Sequence, residues 1–122
     1  MKYLLLLNND ASEWDRWRTL SKAEAAAGRA EEIPRWNHAF AWAAEQQIEL
    51  DGLELEDPSG ARVVTRRNGE TIVTDGPFAE TKEVLGGYFV ADCTDLDQAI
   101  ELARRIPVVE KGSVEIRPLV EE

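Results

Sequence analysis

Two short runs of consecutive apolar residues constrain the fold of this chain most strongly. One covers Tyr3-Leu4-Leu5-Leu6-Leu7, and the other lies in the nearly apolar stretch 86–93. Short runs without polar alternation are typical of strands that are covered on both faces of a sheet. Helices can cover one face, so the other face needs a cover of its own, and a second copy of the chain is the simplest one. We therefore expect a homodimer whose sheets face one another.

A hairpin is predicted in the middle of the chain. Asn68-Gly69 separates the segments 61–67 and 70–75, and this dipeptide is the strongest short-range signal for a two-residue hairpin turn. The cross-strand partners are then Arg67 with Glu70, Arg66 with Thr71, Val64 with Val73, and Arg62 with Asp75. Arg62 and Asp75 are thereby expected on the same side of the hairpin.

The helices are predicted from spacing and capping residues. The segment 10–32 is rich in alanine and charge, and Ser21-x-x-Glu24 has the pattern of a capping box, so two short helices are expected there. A fresh helix is expected from Pro34 to Leu50, ended by Asp51-Gly52. A last helix is predicted by the stripe Leu96, Ile100, Ala103 and Ile106, with Thr94 and Asp97 as its capping box and Pro107 after it.

The order of these elements indicates a fold class. An alternating segment at 113–117, ended by Pro118, is expected as an edge strand. The order strand, helix, hairpin, strand, helix, strand is close to the split βαβ arrangement of ferredoxin-like folds. We predict an α+β protein with an antiparallel sheet and helices on one face. Its 122 residues suit a single domain covering 1–122, with an inserted helical segment at about 10–34.

Composition excludes several classes of function. The chain carries 24 acidic and 14 basic residues, a net charge of -10 that disfavours binding to nucleic acid or to anionic membranes. One Cys and one His cannot form an intrachain disulfide or a Cys/His zinc cluster, and no spacing implies a metal or cofactor. The run 3–7 is too short for a membrane span or the core of a signal peptide. We expect a cytoplasmic protein.

One stretch of the sequence carries a family resemblance. Thr74-Asp75-Gly76-Pro77-Phe78-Ala79-Glu80-Thr81-Lys82-Glu83, followed by Leu85-Gly86-Gly87-Tyr88, resembles the signature of the DGPF branch of the YCII-related family. The resemblance continues through 95–100, 105–107 and 113–118. It implies a ferredoxin-like dimeric α/β barrel. YCII-like proteins carry a His and Asp pair in a cleft, and one relative acts as a dehydrochlorinase on a chlorinated hydroxyquinol. DGPF members often occur beside extracytoplasmic-function sigma factors, which implies a regulatory role.

Asp75 and His38 are the candidate catalytic residues. Asp75 lies at a strand end before a chain reversal, where a carboxylate can act as a general acid or base. The alternative is that it accepts backbone hydrogen bonds in the turn or pairs with Arg62. His38 is the single imidazole and can transfer protons near neutral pH, although an exposed helix face accounts for it equally well. The candidate ligand-binding residues are Arg62, Arg66, Phe78 and Lys82.

Two functions of different classes follow. The first is a small-molecule lyase or ligand-binding protein, with Asp75 and His38 in a cleft at the dimer interface. The alternative is a non-enzymatic accessory protein that acts with an extracytoplasmic-function sigma factor, through the segment 10–35 or the acidic surface.

Overall fold

The computed structural model describes residues 1–76 and 82–121. In these residues the chain forms strands and helices in the order β1 (Lys2–Asp10), α1 (Ala11–Arg18), α2 (Lys22–Glu45), β2 (Glu49–Glu54), β3 (Arg62–Arg67), β4 (Glu70–Asp75), β5 (Glu83–Asp92), α3 (Leu96–Arg105) and β6 (Gly112–Pro118). Short 3₁₀ turns lie at Pro58–Gly60 and Pro107–Glu110. The predicted α+β class is confirmed. None of the helices in the described ranges is long and apolar enough to cross a membrane.

Four strands form one antiparallel sheet in the order β2-β5-β1-β6. Because β1 and β5 lie in its centre and β6 at its edge, the predictions for these three strands are confirmed. The strand order is compatible with a ferredoxin-like fold. The strands β3 and β4 pair only with each other in the described part of the chain.

The hairpin has the predicted register. Arg62 pairs with Asp75, Val64 with Val73, Arg66 with Thr71 and Arg67 with Glu70. Asn68 and Gly69 have φ angles of 52° and 81°, in the left-handed region that a type I′ turn requires at both central positions. The turn chemistry of two residues therefore sets the pairing of the whole hairpin.

Helix α2 is longer than predicted at its start. It begins at the expected Ser21 and Glu24 capping box but runs without interruption through Pro34, so the prediction of a fresh helix at Pro34 is wrong. A proline inside a helix costs about 3 kcal/mol because it removes a hydrogen bond and crowds the preceding turn. Contacts on both sides of the proline offset this cost: Gly28 packs beneath Trp17, and Ala39 and Ala43 are buried.

The same helix is shorter than predicted at its end. It stops at Glu45, Gln47 takes a left-handed φ of 58°, and the chain then forms β2 at the sheet edge, so the predicted helix to Leu50 is wrong. Gly52 explains the close pairing of β2 with β5. A Cβ atom there would lie 2.1 Å from the Tyr88 carbonyl oxygen, so a side chain would push the two strands apart.

Helix α3 has a different cap from the predicted one. The carboxylate of Asp95 accepts from the Gln98 amide N–H at 2.9 Å, and the Gln98 side chain accepts from the Thr94 amide N–H at 2.8 Å. The cap is therefore Asp95-x-x-Gln98 instead of Thr94 with Asp97. In the predicted inner stripe, Ala103 and Ile106 are buried, whereas Leu96 and Ile100 are exposed.

The core lies between one face of the sheet and the helices α2 and α3. Its members come from β1, α2, the start of β2, β5 and α3: Tyr3, Leu5, Leu7, Ala43, Ile48, Ala91, Cys93, Ala99, Leu102, Ala103 and Ile106. Alternate side chains of the central strands, among them Leu4, Leu6 and Val90, lie on the opposite face and are partly exposed. One sheet face is thus packed and the other is open in a single chain.

Candidate ligand pocket

A cavity of about 590 Å³ lies between α1, α2 and the sheet, on the same face as the core. Small-molecule sites usually have volumes of about 300–1,000 Å³ and walls rich in apolar and aromatic side chains. Six aromatic residues from three different elements border this cavity: Trp14, Trp17, Trp36, Phe40, Tyr88 and Phe89. The cavity therefore has the size and the lining of a site for an organic molecule.

An aromatic cluster joins α2 to the sheet at the border of the cavity. Trp36 and Phe40 are four residues apart, so they share one face of the helix, and Phe89 reaches them from β5. The ring centroids are 5.9 Å apart for Trp36 and Phe40, 6.3 Å for Trp36 and Phe89, and 5.9 Å for Phe40 and Phe89. These three large rings fill the space at one end of the cavity and leave room beyond them.

Helix α1 forms the opposite wall because its N-terminus is fixed. The carboxylate of Asp10 accepts from the Ser12 amide N–H at 2.8 Å and from the Ser12 hydroxyl at 2.5 Å, and these bonds lower the pKa of Asp10. Trp17 then lies against Gly28 of α2, where a Cβ atom would be 2.8 Å from Cη2 of the indole. Helix α1 thus follows β1 directly, and its Trp17 packs against α2.

The ring of Trp14 borders the cavity, whereas its indole nitrogen is shielded by protein atoms. Nε1 is buried and has no hydrogen-bond partner in the part of the chain that the structure describes. Gly86 leaves space beside the ring, since a Cβ atom there would lie 3.4 Å from Cζ2 of Trp14 and 2.3 Å from Nδ2 of Asn9. The contribution of Trp14 to the cavity is therefore its aromatic surface.

Charged residues border the cavity in pairs. Three ion pairs lie there: Arg29 with Glu54 at 3.2 Å, Arg35 with Glu110, and Lys111 with Glu13 at 3.7 Å. The hydrogen bond from Arg35 to Glu110 raises the pKa of the guanidinium. Glu32 also borders the cavity, is half-buried, and forms no ion pair with any described residue. The border thus holds one carboxylate more than it holds cations.

A further ion pair fixes the end of α1. The Arg18 guanidinium donates two hydrogen bonds of 3.0 Å each to the carboxylate of Asp57, just before the turn Pro58–Gly60. These bonds, together with one from the Ser59 amide N–H, hold the pKa of Asp57 well below its ordinary value. Helix α1 is therefore attached to the body of the protein at both of its ends.

The residues predicted as catalytic lie elsewhere. Asp75 pairs with Arg62 at 3.4 Å, as the alternative interpretation expected, and its side chain is 91% exposed. His38 is exposed on α2, and among the described residues no hydrogen bond or ion pair joins it to Asp75. Neither residue borders the cavity. Acid–base chemistry by this pair stays a prediction.

Of the residues predicted to bind a ligand, the three that the structure describes do not border the cavity either. Arg62 and Arg66 are exposed on β3, and Lys82 is exposed before β5. Phe78 lies outside the described residues. Ligand binding by these four residues stays a prediction.

Sequence reasoning did not place the tryptophans at the cavity, Trp14, Trp17 and Trp36, among the ligand-binding candidates. The signal that could have identified them is the concentration of aromatic residues in 14–40 together with the small residues Gly28 and Gly86, which leave space beside two of the indoles.

The donor set favours an organic ligand. In the residues that can be described, no group of three or more His, Cys, Asp or Glu side chains is arranged to hold a metal ion. Aromatic walls with a charged border are typical of sites for small aromatic molecules.

The fold and the cavity together define an α+β protein with a ligand-sized pocket between its helices and an antiparallel sheet. The YCII-related domain matches residues 1–122, so the chain belongs to the YCII-related family. The chain is similar to an uncharacterized protein of Rhizobium meliloti (strain 1021), with 49% identity over 65 residues, which cover 51% of this chain and 52% of the relative. The match thus spans about half the length of that curated relative.

Proposed function

We propose that this YCII-related protein binds a small organic molecule with an aromatic ring in the cavity between α1, α2 and the sheet. The observation that carries the proposal is the cavity of about 590 Å³ bordered by six aromatic residues. Burial of about 200 Å² of apolar ligand surface contributes about 5 kcal/mol before the costs of binding. From this contribution alone, a ligand of two fused rings is expected to bind with a Kd of about 0.2 mM, and ligands with more aromatic surface more tightly.

A fluorescence titration tests this proposal. The neutral dye N-phenyl-1-naphthylamine becomes fluorescent in apolar sites, and we expect one dye per chain with a Kd of about 10 µM. Ile33 borders the cavity and is 53% exposed, so Ile33→Trp fills the cavity and is expected to weaken binding at least about tenfold.

The matched control for this titration is Ile100→Trp. Ile100 is 40% exposed on α3 and does not border the cavity, so the same substitution there should leave dye binding unchanged. Equal dye binding by wild type and Ile33→Trp would overturn the proposal.

We also propose that the chain belongs to the DGPF branch, forms one cytoplasmic domain over 1–122, and assembles as a homodimer in the manner of a dimeric α/β barrel. The stretch 74–83 supports the branch. The partly exposed apolar side chains on the open sheet face support the dimer, and these include Leu4, Leu6 and Val90. The lyase activity and the sigma-factor partnership stay predictions.

Light scattering during gel filtration tests the dimer. We expect the mass of two chains at micromolar concentration, and we expect Leu4→Glu to give one chain because it buries a carboxylate in the proposed interface. Val120→Glu is the control, since Val120 is 89% exposed. A wild-type protein with the mass of one chain at micromolar concentration would refute the dimer.

A further inference from the structure

We infer that the cavity selects positively charged ligands, namely aromatic amines whose ring packs among the aromatic side chains while the ammonium group lies near Glu32. This inference rests on the proposed function and names the chemical class of its ligand. It follows from the balance of charges at the cavity and from the faces of the aromatic rings.

The charged border disfavours anions. Its three cations already have carboxylate partners: Arg29 has Glu54, Arg35 has Glu110, and Lys111 has Glu13. An anionic ligand would have to break one of these pairs or remain unpaired beside four carboxylates. A cation meets the opposite situation. Glu32 forms no ion pair with a described residue, and its charge acts on Arg35 only at longer range, since Arg35 pairs with Glu110.

The aromatic side chains favour a cation as well. An ammonium group over the face of a tryptophan is stabilised by about 0.5–2 kcal/mol, depending on its exposure. This chain uses such contacts internally: the guanidinium of Arg16 lies 5.5 Å from the Trp17 ring, and that of Arg105 lies 4.0 Å from the Trp42 ring. The indoles of Trp14 and Trp36 also border the cavity and offer further aromatic surface.

The net charge of the chain acts in the same direction. A charge of -10 gives a negative potential that attracts cationic ligands and repels anionic ones. Since this effect is screened by salt, the preference for a cation should weaken as ionic strength rises.

Three naphthalenes that differ only in their substituent test the inference by calorimetry at neutral pH. They are 1-naphthylmethylamine, which is a cation, 1-naphthalenemethanol, which is neutral, and 1-naphthaleneacetate, which is an anion. We expect the cation to bind about fivefold more tightly than the neutral compound, and the anion to bind most weakly.

Substitution of Glu32 tests whether this carboxylate causes the preference for the cationic ligand. We expect Glu32→Gln to weaken binding of the amine about fivefold and to leave binding of the alcohol within about twofold. The matched control is Glu31→Gln, because Glu31 is the adjacent acidic residue of α2, is exposed, and does not border the cavity. Glu31→Gln should change neither the affinity for the amine nor the affinity for the alcohol.

The outcomes separate the inference from the proposed function. Failure of all three naphthalenes to bind would overturn the ligand site itself. Equal binding of the three, or tightest binding of the anion, would leave the site in place and overturn the inference about its charge preference. Equal behaviour of Glu32→Gln and Glu31→Gln would overturn the part given to Glu32.

Discussion

Two stretches of the same helix, α2, differ in how they meet the rest of the protein. In the packed stretch, 39–43, the inward residues Ala39 and Ala43 are 1% and 2% exposed. In the open stretch, 29–36, the residues that border a cavity instead are Arg29, Glu32, Ile33, Arg35 and Trp36. The difference teaches that small inward side chains let one stretch of a helix pack closely, whereas large and charged ones let the next stretch border open space. Ala39 and Ala43 are buried, and Trp36 is only partly buried where it packs against the core.

The neighbours of the two stretches differ in the same way. The packed stretch lies in the part of α2 that meets α3, whose inward residues Ala99, Leu102 and Ala103 are buried. The open stretch is joined to its surroundings by surface ion pairs such as Arg29 with Glu54, and exposed pairs of this kind contribute about 0–1 kcal/mol each. The packed stretch should therefore contribute most of the free energy of unfolding. The open stretch should contribute less and can bind a ligand.

The largest expected effect is a loss of stability on the packed side. Leu102 is 1% exposed, so Leu102→Ala removes buried surface and leaves a cavity, which costs about 3 kcal/mol. Ile33→Ala in the open stretch should cost less than about 1 kcal/mol, because Ile33 is half exposed. Chemical denaturation of both variants measures the difference. Equal losses of unfolding free energy for Leu102→Ala and Ile33→Ala would contradict the distinction between the two stretches.

Hydrogen exchange should reveal the same contrast inside one helix. We expect the amides of the open stretch to exchange at least about tenfold faster than those of the packed stretch, because few buried contacts oppose their local opening. Exchange followed by NMR gives the rate at each amide. Uniform protection along α2 would mean that the cavity side is as rigid as the core.

Trp14→Phe should separate binding from stability. The substitution removes a buried N–H that has no partner among the described residues, so the free energy of unfolding should stay within about 1 kcal/mol of wild type. The smaller ring offers less aromatic surface to the cavity, so affinity for 1-naphthalenemethanol and for 1-methylnaphthalene should fall about equally, by about threefold. Calorimetry measures both affinities. Unchanged affinity for both ligands would exclude Trp14 from the binding site.

The smallest expected effect concerns the pH dependence of the attachment of α1. The pKa of Asp57 is lower in the folded protein than its ordinary value of 3.8, chiefly because Arg18 donates hydrogen bonds to it. Its stabilising contribution is therefore fully present above the ordinary pKa and is lost as pH falls through the folded-state pKa. Asp57→Asn should be less stable than wild type above about pH 4, and the difference should shrink below that.

A second variant controls for this pH effect. Asp15 also pairs with Arg18, but its side chain is 72% exposed. Asp15→Asn should follow the wild-type melting temperature at each pH. A loss for Asp15→Asn as large as that for Asp57→Asn would contradict the role of the Asp57 pair.

The sequence predicted those parts of the fold that depend on local chemistry. Asn68-Gly69 fixed the hairpin register because both residues accept positive φ. The apolar runs identified β1 and β5 as central strands. The strand β2 could not be predicted, because Ile48 and Leu50 also fit the apolar pattern of the preceding helix.

The continuation of α2 through Pro34 could not be predicted either, because it depends on contacts such as that of Gly28 with Trp17.

The cavity could not be predicted in the same way. It is the space left between α1, α2 and the sheet, and its size depends on how far three elements stand from one another. Trp14, Trp36 and Phe89 are distant in sequence, and only the assembled fold brings them to the border of the same cavity. The sequence instead predicts a site at residues with reactive groups, His38 and Asp75. The structure places both at the exposed surface.

The four indole N–H signals in a nitrogen–proton correlation spectrum test the central claim most directly. Trp14, Trp17 and Trp36 border the cavity, whereas Trp42 lies under Arg105 and serves as an internal reference. On titration with 1-naphthylmethylamine, we expect the first three signals to move with a single affinity and the Trp42 signal to stay in place. Movement of Trp42 alone, or of no indole signal despite measured binding, would contradict a ligand site between α1, α2 and the sheet.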